Sequence, residues 1–140
     1  MAAEEKQARE RALQILEMFD ERLLPRINQT VANLSYANQR RVEIARALVS
    51  APKLLLLDEP TAGMNPAETQ GIVDLIYKLR DAGNTIFVIE HKMRLVMTVS
   101  DRIIVLDHGI KIAEGTPKQV ADNPDVAEAY MGKASHAQVD

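Results

Sequence analysis

The stretch Leu54–Gly63 reads LLLLDEPTAG, and the fold turns on how it is read. Four successive leucines predict a short strand buried on both faces, as in parallel sheets. Asp58 and Glu59 follow at once, and two adjacent acids there are costly to desolvate without a cation or a proton to offset them. Pro60 cannot continue a ladder, so the strand stops and the acids stand at its carboxyl end. In open α/β sheets ligands bind at that edge. One carboxylate suits a divalent ion held through water, the other the polarising of an attacking water. Taken alone, the ten residues also read as a strand followed by an acidic turn.

Downstream, Asn65-Pro66-Ala67-Glu68 carries the marks of a helix start, with Asn as N-cap, Pro at the first position and Glu closing a capping box. Ile72, Leu75, Ile76 and Leu79 give that helix an apolar face, and Gly83 ends it. Thr85–Ile89, TIFVI, predicts a second buried strand, so a βαβ unit forms and its crossover is right-handed. His91 then falls on the same edge as Asp58 and Glu59. A lone histidine is more often structural, but this position favours a functional role. Met93–Val99 predicts a short helix and Arg102–Leu106 a third strand. Asp107-His108-Gly109 is a turn into an antiparallel strand over Ile110–Glu114. Thr116-Pro117 and Asn123-Pro124 open two further helices, the second with Val126, Ala129 and Tyr130 inward and Gly132 at its end.

Upstream, LSYANQRRVEIARAL occupies Leu34–Leu48. Ser35 is a good N-cap, Val42, Ala45, Leu48 and Val49 form an apolar stripe, and Arg40, Arg41, Glu43 and Arg46 face away from it. The amides and dipole of a helix N-terminus suit a phosphate, although a capped amphipathic helix needs no ligand. Residues Glu4 to Arg22 predict an amphipathic helix limited by Pro25, and Arg26–Asn33 is irregular.

Composition narrows the classes. The 140 residues fit one ordinary domain, 46% hydrophobic and 26% charged, with net charge −3. That balance disfavours a nucleic-acid module, and 4% aromatics leaves little for base stacking. With no cysteine, disulfide and thiolate chemistry are excluded. No apolar run approaches the ~20 residues of a membrane span, and the amino terminus is not signal-like. Any membrane role is expected to come through a partner.

Taken together, the Ser-capped helix, the strand ending Asp-Glu-Pro-Thr and the strand ending in His resemble the ATP-binding subunits of ABC transporters. The resemblance runs from about Leu13 to Gly132. LSYANQ is similar to the signature motif, LLLLD to Walker B, Ala62-Gly63-Met64-Asn65 to the D-loop and His91 to the switch histidine. The pairing of QRRVEIARAL with DEPTAGMNP, IEHKMRLVM and NPDVAEAYMG looks most like the branched-chain amino acid importers. The resemblance implies ATP and Mg²⁺ as cofactors, Asp58 orienting Mg²⁺ through water and Glu59 as general base. It implies that His91 contacts the γ-phosphate. Ser35, Tyr36, Ala37, Asn38 and Gln39 would face the nucleotide of a second ATPase subunit, head to tail. Transmembrane permease subunits would complete the assembly and hold this cytoplasmic chain at the inner face of the membrane. ABC-type DNA-repair ATPases share the signature and the acid pair but carry long coiled coils, which this sequence lacks.

The sequence departs from that family in one large respect. No G-x-x-x-x-G-K-[ST] phosphate loop occurs, and none of the six glycines precedes Lys-Ser or Lys-Thr. The expected fold is therefore the carboxyl-terminal half of a P-loop NTPase-like ABC cassette, α/β with a mostly parallel sheet. Residues 1–50 would be a remnant of the helical subdomain, 51–132 part of the ATPase core and 133–140 a loose tail. Tyr36 and Ala37 stand where the signature has glycines, Asn38 where it has glutamine, and Asn65 where the D-loop more often has aspartate. An uncovered apolar strand invites oligomers or aggregation. Two readings stay open: part of an importer ATPase, or a non-catalytic module that pairs with intact ATPase subunits.

Overall fold

Helix α1 (Ala2–Glu17) ends sooner than its apolar spacing suggests. The computed structural model of the chain describes residues 2–136. After α1 the backbone turns at Asp20, whose φ is +54°, and short 3-10 turns follow over Asp20–Arg22, Leu24–Arg26 and Val31–Asn33. Asp tolerates the left-handed region better than most residues. Phe19 and Leu23 are both buried across this turn. Helix α2 (Tyr36–Val49), strand β1 (Leu54–Asp58), helix α3 (Pro66–Asp81) and strand β2 (Thr85–Ile89) complete a first compact unit, ending at Glu90.

The expected caps are present. Ser35 Oγ accepts from the Asn38 amide, and at α3 Asn65 and Glu68 bond reciprocally in a capping box. At the other end of α3, Gly83 (φ +94°) donates to the Arg80 carbonyl and Asn84 to that of Leu79. This pairing is a Schellman motif, which the left-handed φ of Gly83 permits. Ile72, Val73, Leu75, Ile76 and Leu79 are buried along α3.

Strands β1 and β2 pair in parallel, Leu54 opposite Thr85 through Asp58 opposite Ile89. The expectation that the leucine strand is covered on both faces is corrected. Leu55 and Leu57 are buried, whereas Leu54 and Leu56 are 48% and 66% exposed. Phe87 and Ile89 on β2 are exposed as well. Among the described residues β1 pairs with β2 alone, and its side chains alternate between a covered and an exposed face, an alternation that an unbroken run of leucines had concealed.

A second compact unit begins at His91. It holds α4 (Met93–Val99), β3 (Ile103–Asp107), β4 (Ile110–Gly115), α5 (Pro117–Ala121) and α6 (Pro124–His136). Strands β3 and β4 are antiparallel, joined by His108 and Gly109, both with positive φ. That is the two-residue turn whose twist matches a hairpin. Ile103, Val120 and Val126 form the centre of this unit, flanked by Met93, Met97 and Ile112. Two details differ from expectation. Tyr130 is exposed rather than inward, and α6 runs on through Gly132 to His136. The rest of the expected tail, 137–140, lies outside the described residues. Among the described residues no helix is long and apolar enough to cross a membrane.

Candidate functional site

The parallel register brings the carboxyl ends of β1 and β2 level. The ladder continues one step beyond the strands, since the Glu59 amide donates to the Ile89 carbonyl at 2.8 Å. Glu59 nevertheless has φ +42°, the left-handed region, which for a residue with a side chain costs about 1–2 kcal/mol. The sharp turn places Pro60 and Thr61 inside, Thr61 wholly buried. Thr61 Oγ1 donates to Glu90 Oε1 at 2.6 Å, and the Ala62 amide closes the turn onto the Glu59 carbonyl at 3.1 Å. Gly63 follows at φ +69°, and Met64 leads to the Asn65 cap. Asp58 and Glu59 are both exposed.

A second hold on the turn comes from α2. Arg40 Nη2 donates to the carbonyls of Asp58 (3.3 Å) and Glu59 (3.2 Å), while Nη1 pairs with Glu43 at 2.7 Å. The Glu43 hydrogen bond raises the guanidinium pKa above its ordinary value, against a smaller opposing effect of burial.

Around the start of α2, the side chains of Ser35, Asn38 and Asn65 line one cavity of about 290 Å³ with Arg22, Glu68 and Lys78. Of the predicted signature and D-loop residues, Ser35, Ala37, Asn38 and Asn65 line this cavity. Tyr36 is 54% exposed, and its ring carbon lies 3.7 Å from where a Cβ on Gly63 would stand. Ala37 is buried, and Gln39 turns back to donate to the Leu34 carbonyl at 3.0 Å. Arg41, expected to face solvent, is only 7% exposed and donates to Asn38 Oδ1 at 3.1 Å. Burial chiefly lowers its pKa; Arg22 adds to that, and Glu68 opposes it.

His91 is the first residue of the second unit, directly after Glu90, and is exposed. Sequence reasoning passed over Arg40, Arg41, Thr61 and Glu90. Arg41 had a signal, because it lies four residues from Ala37 and from Ala45 on the buried stripe. The other three contacts are not local and left none.

Among the described residues no three His, Cys, Asp or Glu gather as a cage. Mg²⁺ in phosphate sites takes only one or two carboxylates, with water and phosphate oxygens completing its shell. Exposed Asp58 beside Glu59 would suit that arrangement.

A strand closed by an acid pair, parallel to one that leads into a histidine, with a capped LSYANQ helix in the same unit, defines an ATP-binding cassette. The chain belongs to the ABC transporter ATP-binding family: residues 1–62 match the ABC transporter family model. Residues 111–136 match that of the branched-chain amino acid ATP-binding cassette transporters. The chain is 52% identical over 113 residues to the high-affinity branched-chain amino acid transport ATP-binding protein LivG of Escherichia coli, covering 80% of this chain and 44% of LivG. To BraF of Pseudomonas aeruginosa, of the same description, it is 51% identical over 108 residues, 76% of this chain and 42% of BraF. Its fold is similar to the ADP conformation of MJ1267, an ATP-binding cassette of an ABC transporter. The TM-score is 0.81 at 34% identity, over 90% of this chain and 50% of that one. The chain spans about half the length of the relatives it matches.

Proposed function

We propose that the chain is part of the ATP-hydrolysing subunit of an ABC importer for branched-chain amino acids or a similar small polar solute. The observation that carries this is the acid pair closing β1, tied by Arg40 to the helix that bears the signature residues. Asp58 orients Mg²⁺ through water, and Glu59 takes the proton of the water that attacks the γ-phosphate. His91 contacts that phosphate and holds the water in line. Phosphoryl transfer needs mostly positioning and charge neutralisation, which such groups supply. Ser35 and the following residues to Gln39 meet the nucleotide of a second ATPase subunit, and Ala62, Gly63, Met64 and Asn65 form the D-loop. Permease subunits carry the pair at the inner face of the membrane.

Within these 140 residues no Gly-rich loop with its lysine cradles phosphate. The isolated chain is therefore inactive and holds ATP weakly; it completes a site only with an intact subunit. A non-catalytic module that tunes intact subunits rests on the same missing loop. The test is Mg²⁺-dependent ATP turnover by the isolated chain, and by the chain mixed with an intact relative subunit. The expected result is no turnover alone and altered turnover in the mixture, the change lost for Ser35→Ala if the signature end completes the intact subunit's site and kept if the module only tunes. Robust turnover by the chain alone overturns the proposal of inactivity.

A further inference from the structure

We infer that Arg40 is a positioning residue for Glu59, an inference that rests on the ATPase reading for its functional meaning. Glu59 adopts a left-handed backbone that an L-residue disfavours, so something nearby must hold it there. Three contacts do. The Glu59 amide reaches Ile89, its carbonyl receives the Ala62 amide, and Arg40 Nη2 bridges the carbonyls of Asp58 and Glu59. Of these, only Arg40 comes from outside the strand ends and their turn. It stands in α2, next to Gln39 and two residues after Asn38, and Glu43 on the following turn fixes its guanidinium. A planar fork with separate nitrogens is suited to this double duty, since Nη1 serves the carboxylate while Nη2 serves the carbonyls. The signature helix is thereby linked, within one chain, to the direction in which the Glu59 carboxylate leaves the backbone. A shift of α2 on meeting the partner's nucleotide would reach Glu59 through this guanidinium.

The test follows amide hydrogen exchange in the full chain. Arg40→Gln is expected to speed exchange of the Glu59 amide by roughly tenfold, the loss expected for a charged hydrogen bond. The Ile76 and Leu79 amides inside α3 should keep their rates. Glu59→Gly removes the side chain that makes a left-handed φ unfavourable, so Arg40→Gln in that background should change the residue-59 amide far less. Arg40→Lys keeps the stem and the charge but not the fork; it should act in the same direction and more weakly, and it serves if the glutamine variant does not fold. An unchanged Glu59 amide, an equal acceleration of the α3 amides, or the same Arg40 effect with glycine at 59 overturns the inference. No nucleotide enters the measurement, so its failure leaves the ATPase reading standing, and failure of that reading leaves the exchange result intact.

Discussion

Thr61 and Glu90 lie 29 residues apart in sequence and share a 2.6 Å hydrogen bond, Thr61 Oγ1 donating to Glu90 Oε1. It ties the turn after the acid pair to the residue that follows β2. A carboxylate accepting a short bond from a wholly buried hydroxyl gains more than a neutral pair would. Thr61→Val preserves the shape and removes the donor. The expected cost is about 1.5–3 kcal/mol, the range for hydrogen bonds to charged groups, read as a lower urea midpoint with unchanged slope. Thr61→Ser, which keeps the hydroxyl, should lose less. If Val at this position is as stable as Thr, the bond contributes nothing to stability.

Arg41 and Gly71 form the close approach between α2 and α3. A Cβ at Gly71 would lie 2.6 Å from Arg41 Nη2, so Gly71→Ala must displace the guanidinium. Arg41 is the end of a flexible side chain and lines the neighbouring cavity, so it can swing aside. The lost Arg41–Asn38 bond, made by a charged donor, costs about 1.5–3 kcal/mol, and alanine's better helix propensity returns about 1 kcal/mol, so the net loss is about 1 kcal/mol rather than that of full overpacking. In an Arg41→Met background the alanine should cost less, with a coupling of about 0.5 kcal/mol or more from the double-mutant cycle. Strict additivity would show that the two residues do not share the space.

Much of the fold was legible because its signals are local. Asn65-Pro66 with Glu68, and Thr116-Pro117 with Gln119, are complete capping chemistry within four residues, and both boxes form. His108-Gly109 between apolar runs specified the hairpin. Other features had no local signal. Four leucines have no alternation, so nothing in LLLL says which face of β1 is covered. Helix α1 stops well short of Pro25, giving way to a left-handed Asp20 although its apolar spacing runs on unbroken. At the site, the acid pair could be read from composition at a strand end. Its supports, Arg40 at 18 and 19 residues' distance and Glu90 at 29, are contacts that only the fold creates.

The helix caps differ in geometry, and their energies should follow. Asn65 Oδ1 accepts at 2.9 Å and Glu68 reciprocates at 3.1 Å, whereas Ser35 Oγ accepts at 3.4 Å with no partner box. Asn65→Ala should destabilise by about 1 kcal/mol or more and Ser35→Ala by about 0.5 kcal/mol. Thermal unfolding followed by far-ultraviolet circular dichroism reads both. A larger loss at Ser35 would reverse the ranking and show that its hydroxyl serves the fold beyond capping.

Leu54, Leu56, Phe87 and Ile89 expose one apolar face of the β1–β2 sheet, and a contiguous apolar surface of this kind favours association. The chain alone is expected to sediment as oligomers at micromolar concentration. Leu56, at 66% exposed, contributes little to the buried side of the unit, so Leu56→Lys should change the unfolding free energy by about 0.5 kcal/mol or less. The same substitution places a charge in the middle of the face, and Phe87→Lys adds a second directly opposite it, since Leu56 and Phe87 are register partners. Two like charges facing each other repel any apolar partner and each other, so the double variant should be the more monomeric and slightly the less stable. Sedimentation velocity over a concentration series separates the outcomes. Monomers of the parent chain throughout the series would mean that this face does not drive association. Persistent oligomers in the double variant would place the contact elsewhere, with the exposed Ile104, Leu106 and Ile110 of β3 and β4 the next residues to change.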